Sequence, residues 1–364
     1  MGTRRENIGF FTSWRGVAAL ATFFIHNGYK DSICMIGWSS MTLFFVMSGF
    51  LMMMHHGKDE LRNSGLAGFY SKRLWKVYAL HWLSLAVLLL LIFWHRGDFG
   101  YTPALLPNFL LIHCYFPSKD IFMSYNGVTW FLSGIVLCYL CYPFLLRYLS
   151  STVRRLIIVV AAVCYAAVAA RADAHGGVYL YVFPPLRVVE FMMGMEAYKL
   201  YENIGKLHVN RVQATIIDVA LVAVYAALLL FGKSGLCHEN YLYSLLWWPL
   251  AAVMCVLVPC LSGREGALGR LLTTKPLIWL GKISLEIFLF HGPIAVIVAY
   301  FVIPVVNKAG GGFFDEYLLN LPVLAWVYLP FTIVGSWLIH KYVTVPLERK
   351  FKVWWSARFA DNNS

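Results

Sequence analysis

The stretch Arg15-Gly16-Val17-Ala18-Ala19-Leu20-Ala21-Thr22-Phe23-Phe24-Ile25-His26 decides the fold. None of the residues between the arginine and the histidine is charged, so the segment reads as the apolar middle of a membrane-spanning helix. An offset of eleven residues is three helical turns, which puts both side chains on one face, separated along the axis by roughly 16 Å. A cation and an imidazole on one stripe of a lipid-embedded helix are costly unless the stripe lines a polar cavity. Arg15 and His26 are therefore the first candidates for function.

Composition extends this reading. Of the 364 residues, 60% are hydrophobic and 13% charged, whereas an ordinary soluble domain is about a quarter charged. Apolar stretches long enough to cross a bilayer, which takes roughly 17 to 25 residues, recur along the chain. They lie near Phe10 to Asn27, Gly37 to Met54, Leu74 to Trp94, Val128 to Tyr148, Val153 to Ala170, Val178 to Tyr198, Ala214 to Phe231, Tyr241 to Leu261, Leu277 to Val302 and Leu321 to Tyr342. The expected fold class is all-α: a polytopic transmembrane helix bundle of about ten spans. Residues 1–345 form one membrane domain, and 346–364 a short basic cytosolic tail.

The net charge of +12 is topogenic and not a nucleic-acid signal. With the N-terminus in the cytosol, 22 of the 30 Lys and Arg residues fall in cytosolic segments. Six (Lys30, Arg96, Lys119, Arg171, Lys233 and Lys308) fall outside, and Arg15 and Arg187 lie within spans. This is the positive-inside pattern of a multi-pass protein of the cell membrane with both termini cytosolic. Pro103 to Phe116 is apolar but short and broken by Pro107 and Asn108. A crossing there would put every later loop on the wrong side, so it is read as re-entrant or surface-lying. The first span is kept as an anchor: Arg15 and His26 interrupt it, and no clear small-residue cleavage site follows.

The eight cysteines form no framework. Cys138 and Cys141 read as packing residues inside a helix, while Cys34, Cys114 and Cys237 fall in outer loops where a disulfide is possible. No zinc pattern or phosphate-cradling glycine loop is present, and no metal is expected.

The polar residues within the apolar spans carry most of the functional information. They are Arg15, His26, Ser48, Arg187, Glu190, Asp218, Glu286, His291 and His340. Arg187 and Glu190 are three apart and able to pair within one helix. Glu286 and His291, five apart, do not share a face. His291 precedes Gly292 and Pro293, where a helix kinks and frees backbone carbonyls. Asp218 and His340 read as interfacial or interhelical hydrogen-bonding groups. Arg73 and Lys76 share a face at the cytosolic start of the third span, at the membrane level of Arg15. The chemistry such a set suits is acyl transfer across a membrane. A neutral imidazole takes a proton from an attacking hydroxyl, arginine holds phosphate oxygens bidentately, and an acyl-CoA entering from the cytosol threads its pantetheine arm towards His26.

These residues also fall in a known order. Trp14-Arg15-Gly16-Val17-Ala18-Ala19-Leu20 with His26, Phe44-Phe45-Val46-Met47-Ser48-Gly49-Phe50-Leu51, Arg73-Leu74-Trp75-Lys76, and Trp130-Phe131-Leu132 through Tyr139 and Pro143 all belong to it. So do Leu186-Arg187-Val188-Val189-Glu190-Phe191-Met192-Met193-Gly194-Met195, Ser284 to Pro293, and Val345-Pro346-Leu347-Glu348-Arg349. Together they resemble the acyltransferase-3 family of multi-span membrane O-acyltransferases, which acylate bacterial cell-surface polysaccharides and related glycoconjugates. Lys76, Glu286 and Ile135 depart from the family pattern.

The resemblance implies His26 as catalytic base or acyl relay, with Arg15 its partner at the donor site. It implies Arg73 and Lys76 as contacts of the donor phosphates, and Ser48 as part of a pore wall. Arg187, Glu190, Glu286 and His291 are further pore-lining candidates. The expected co-substrate is acyl-CoA, acetyl-CoA above all, and the expected acceptor a glycan or lipid-linked glycan. Membrane lipids surround the protein and nucleic acid has no part. Some family members carry a fused extracellular hydrolase-like domain. This chain is expected to lack one, and either to acylate its acceptor itself or to hand the acyl group to an envelope-assembly partner. The alternative function is a polysaccharide transporter or exporter, against which stands the lack of an evident internal repeat.

Overall fold

The computed structural model describes residues 2–55, 58–148, 151–172, 178–204, 209–233, 247–260, 266–304 and 321–359. Among them the regular structure is helical and no strand occurs. Four helical stretches are long and apolar enough to cross a membrane: Ser64–Arg96, Gly127–Arg147, Arg211–Leu230 and Ser284–Val302.

The principal helices are α1 (Gly2–Phe24), α2 (Lys30–His55), α3 (Lys58–Arg96), α4 (Leu105–Phe109), α5 (Lys119–Phe122) and α6 (Trp130–Tyr148). There follow α7 (Thr152–Ala172), α8 (Val178–Val182), α9 (Pro184–Ile204), α10 (Arg211–Lys233) and α11 (Trp247–Cys260). The chain continues through α12 (Ala267–Leu272), α13 (Lys275–Lys282), α14 (Ser284–Ile297), α15 (Leu321–Ile339) and α16 (Val345–Phe359).

Three expected boundaries move. The apolar run expected from Val178 is interrupted at Phe183, because Pro184 and Pro185 lack N–H groups and push the preceding residue out of the helical region. The run expected from Leu277 breaks at Ile283 (φ −98, ψ 10), between Gly281-Lys282 and Ser284, so its spanning part starts at Ser284. Of the stretch expected to be a basic tail, the part to Phe359 is the helix α16, its Phe351 ring stacked on Trp75 at 4.5 Å and its Trp355 beneath the Lys72 ammonium at 4.9 Å. Of the expected span from Tyr241, residues 241–246 lie outside the described residues.

The chain forms two compact units, neither of them contiguous in sequence. One comprises Met1–Val17, Trp38–Tyr70 and Ser133–Lys282. Within it α2 meets α9 backbone to backbone: a Cβ on Gly49 would strike the carbonyl of Phe191, and one on Gly194 the carbonyl of Val46. Small residues at such crossings let membrane helices approach closely. Gly281 lies in the same way against the Thr12 carbonyl. Asp218 on α10 accepts the Leu268 N–H at 2.8 Å, so it satisfies a donor at the N-terminus of α12.

The other unit comprises Ala18–Gly37, Ser71–Leu132 and Ile283–Ser364. Phe23, Val298, Ala325 and Tyr328 form a buried cluster in it. Its short apolar stretch 103–116 becomes the single turn α4 and a 3-10 turn at His113–Tyr115. Three successive carbonyls there are met by side chains of α3: Asn108 O by His81 Nε2 at 2.9 Å, Phe109 O by Trp82 Nε1 at 3.0 Å, and Leu110 O by the Tyr78 hydroxyl at 3.2 Å. His81 lies about 22 Å along α3 from the Arg96 end. Its irregular backbone is thus satisfied by protein groups, a condition that a re-entrant segment has to meet. Cys114 in this segment is buried, its thiol directed at the Phe122 carbonyl at 3.9 Å. The side chain of Cys34 and all of Cys237 lie outside the described residues.

Candidate active site

His26 stands just beyond the end of α1, in the turn Ile25–Tyr29. The helical path fails there at Asn27 (φ −115, ψ 44) and Gly28 (φ 100), the latter a backbone conformation natural to glycine. Asn27 is buried and its Nδ2 donates to the Phe23 carbonyl at 2.7 Å. Phe23 and Asn27 point inward while His26 between them is exposed.

The imidazole of His26 meets a second histidine. His26 Nδ1 is 2.9 Å from His291 Nε2, and the rings stack with centroids 5.1 Å apart and planes 25° apart. His291 is only 2% exposed, and its Nδ1 lies 2.9 Å from the Phe288 carbonyl and 3.2 Å from that of Ile287. Carbonyls only accept, so His291 Nδ1 carries the proton and His291 Nε2 is the acceptor. The hydrogen bond between the rings is then donated by His26 Nδ1, and the lone pair of His26 falls on Nε2. A basic nitrogen is thereby fixed by backbone geometry two residues removed from it.

The same unit holds a second polar cluster. Glu286 is fully buried and its Oε1 lies 2.8 Å from His340 Nδ1. Lys76 donates to Glu348 Oε1 at 2.8 Å. Glu286 and His291, expected on different faces of one helix, thus have different partners. Arg73 is half-buried on α3. Lys76, expected to face donor phosphates, already has a carboxylate.

The remaining candidates belong to the first unit. Arg15 is half-buried on α1. The half-buried Ser48 donates to the Phe44 carbonyl of its own helix at 2.8 Å. Arg187 and Glu190 pair at 2.8 Å with both side chains at 0% exposure. Thr42 donates to the same carboxylate oxygen at 3.1 Å, and the guanidinium lies 5.2 Å from the Tyr181 ring and 5.8 Å from that of Phe45. Arg187 and Glu190 are thus paired with each other, as their spacing allowed, with two aromatic rings against the guanidinium. Among the described residues no three His, Cys, Asp or Glu side chains gather as a metal site would require.

Sequence reading missed Asn126, whose Nδ2 donates to the Leu289 carbonyl at 2.9 Å. The available signal was Pro293, four residues after Leu289, which leaves that carbonyl without its helical donor.

The family described as an acyltransferase domain matches residues 8–341. Over 228 residues, 54% of this chain, the protein is 26% identical to the acyltransferase MdmB of Streptomyces mycarofaciens. The aligned part spans 58% of that relative's length. No solved structure matches the chain. With nearly the whole sequence covered by the family and an ordered set of motifs running from Arg15 to Arg349, the chain belongs to the acyltransferase-3 family.

Proposed function

We propose that the protein moves an acyl group, acetyl first among candidates, from cytosolic acyl-CoA to a hydroxyl of a cell-surface or lipid-linked polysaccharide, working in the cell membrane with both termini in the cytosol. The observation that carries this reading is the His26–His291 hydrogen bond, which puts the lone pair of an exposed imidazole on Nε2. His26 Nε2 takes the proton of the acceptor hydroxyl as the oxygen attacks the thioester carbonyl. The C–O bond forms, the C–S bond breaks, and the leaving thiolate takes the proton from the imidazolium. No proton is gained or lost overall. A positioned base of this kind contributes about 10² to 10⁴ in rate. Arg73 and Lys76, with the motif positions they occupy, are assigned to the donor's phosphates, and an envelope-assembly partner is the alternative recipient of the acyl group.

The test uses purified protein in liposomes of known orientation, acetyl-labelled CoA on the cytosolic side and glycan acceptor on the other. Release of free CoA with label on the glycan, both lost in His26→Ala, is the expected result. Label resting on His26 itself would make it an acyl relay. Passage of glycan across the bilayer with no thioester consumed would overturn the proposal in favour of an exporter.

A further inference from the structure

Proline at 293 has no N–H, so in α14 the carbonyl four residues earlier, that of Leu289, lacks its helical donor. A carbonyl left bare inside a protein is costly, and native structures pair it. Asn126 does so: its Nδ2 reaches the Leu289 oxygen at 2.9 Å, and the side chain is 7% exposed.

The rest of the loop aims that amide. The Asn126 carbonyl accepts both the Thr129 hydroxyl at 2.7 Å and the Thr129 N–H at 2.9 Å. Tyr125, one residue before, is held at φ 54, a left-handed conformation that non-glycine residues keep only where surrounding structure imposes it. Its hydroxyl donates to the Gly100 carbonyl at 3.1 Å. The Phe131 and Phe288 rings then pack edge to face at 5.4 Å. Three successive carbonyls of α14 are in this way given to side chains: those of Ile287 and Phe288 hold the His291 imidazole, and that of Leu289 is held by Asn126.

We infer that Asn126 is a positioning residue for acyl transfer. By supplying the donor that Pro293 cannot, it fixes the turn of α14 that carries His291, and through His291 it keeps the proton of His26 on Nδ1 and the lone pair on Nε2. This rests on the reading of His26 as base. The device also ties the loop between α5 and α6 to the reacting histidine, so a change in that loop reaches the base through a single amide.

The test compares Asn126→Leu, Pro293→Ala and the double variant of the full chain in liposomes. Leucine keeps the bulk of asparagine but donates nothing, and alanine at 293 restores the helical N–H to Leu289. Asn126→Leu is expected to lower kcat about tenfold or more with the donor KM within about twofold, the mark of an interaction outside ground-state binding. In the Pro293→Ala background the same change is expected to cost less than about threefold, a non-additivity that a loop packing defect would not give. Nitrogen NMR of histidine-labelled protein provides a readout besides activity: His26 is expected as the Nδ1–H form in the wild type and as a tautomer mixture in Asn126→Leu.

An equal cost in both backgrounds, or an unchanged His26 tautomer in Asn126→Leu, overturns the inference. Should the single variant fail to accumulate, recovery by Pro293→Ala supports it and failure to recover overturns it. His26→Ala separates the two readings. An active His26→Ala sinks the base, while a dead His26→Ala beside a normal Asn126→Leu sinks only the positioning role.

Discussion

Lys76 on α3 donates to Glu348 on α16 at 2.8 Å, with 28% and 30% of the two side chains exposed. An ion pair so open to solvent adds only about 0–1 kcal/mol to stability, so its value lies in where it holds the lysine. If Lys76 also meets the donor phosphates, Glu348 competes with them for one ammonium. Glu348→Gln should then lower the donor KM by about two- to fivefold, and Lys76→Gln should raise it, with both effects shrinking as salt screens the charges. Steady-state kinetics at two ionic strengths decide this. A KM that rises in Glu348→Gln and ignores salt would remove Lys76 from the donor site.

The histidine pair makes a graded prediction. His291→Leu leaves His26 Nδ1 without the acceptor seen at 2.9 Å and should lower transfer by about 10- to 100-fold, a smaller loss than that of the base itself. His291→Gln offers an amide oxygen in the same region and should retain more activity than leucine. CoA release, measured at matched protein levels in the membrane, provides the comparison. Equal losses from leucine and glutamine would mean that His291 serves by bulk and not as an acceptor.

How much of this was legible beforehand follows from the type of signal each feature leaves. Arg15, His26, Arg187, Glu190, Glu286 and His291 were legible because a charge or imidazole in an apolar run is rare and costly, and the Arg187–Glu190 pairing followed from their spacing. The partnerships of His26 with His291 and of Glu286 with His340 were not, because residues 265 and 54 positions apart meet only through tertiary folding. The break at Phe183 escaped a hydropathy reading because apolar residues continue through it, although Pro184 was a local warning. At Ile283 the warning was Gly281-Lys282 before it and Ser284 after it, a polar interruption that the apolar residues on either side outweigh. Re-entry of 103–116 was one of two options open to a short apolar stretch, and the contacts of Tyr78, His81 and Trp82 with its carbonyls meet the condition that re-entry imposes.

Re-entry carries its own test. If both termini are cytosolic, as proposed, a cysteine placed at Lys119 in an otherwise cysteine-free chain should react with a membrane-impermeant thiol reagent in intact cells, and one at Arg154 should not. A cysteine at Leu110, nine residues before Lys119 but bonded through its backbone to Tyr78, should stay unlabelled. Labelling at Leu110 as rapid as at Lys119 would return the segment to the surface. Labelling at Arg154 with protection at Lys119 would invert the topology.

The enclosed pair Arg187–Glu190 separates a structural charge from a functional one. Both side chains are fully buried, so removing one partner strands the other in a low-dielectric interior, at a cost of about 3–5 kcal/mol. Arg187→Met leaves a carboxylate with the Thr42 hydroxyl, and Glu190→Met leaves a guanidinium between the Tyr181 and Phe45 rings. Each single variant should therefore lose a large part of its thermal stability in detergent. The double Met variant buries no charge and should recover most of that loss, since apolar replacement of a buried pair is often neutral or stabilising. Activity then decides the role. A double variant that folds and transfers acyl groups at near the wild-type rate makes the pair a device of packing, whereas one that folds and is inactive puts Arg187 or Glu190 on the substrate's path and would require the aromatic enclosure to open during turnover.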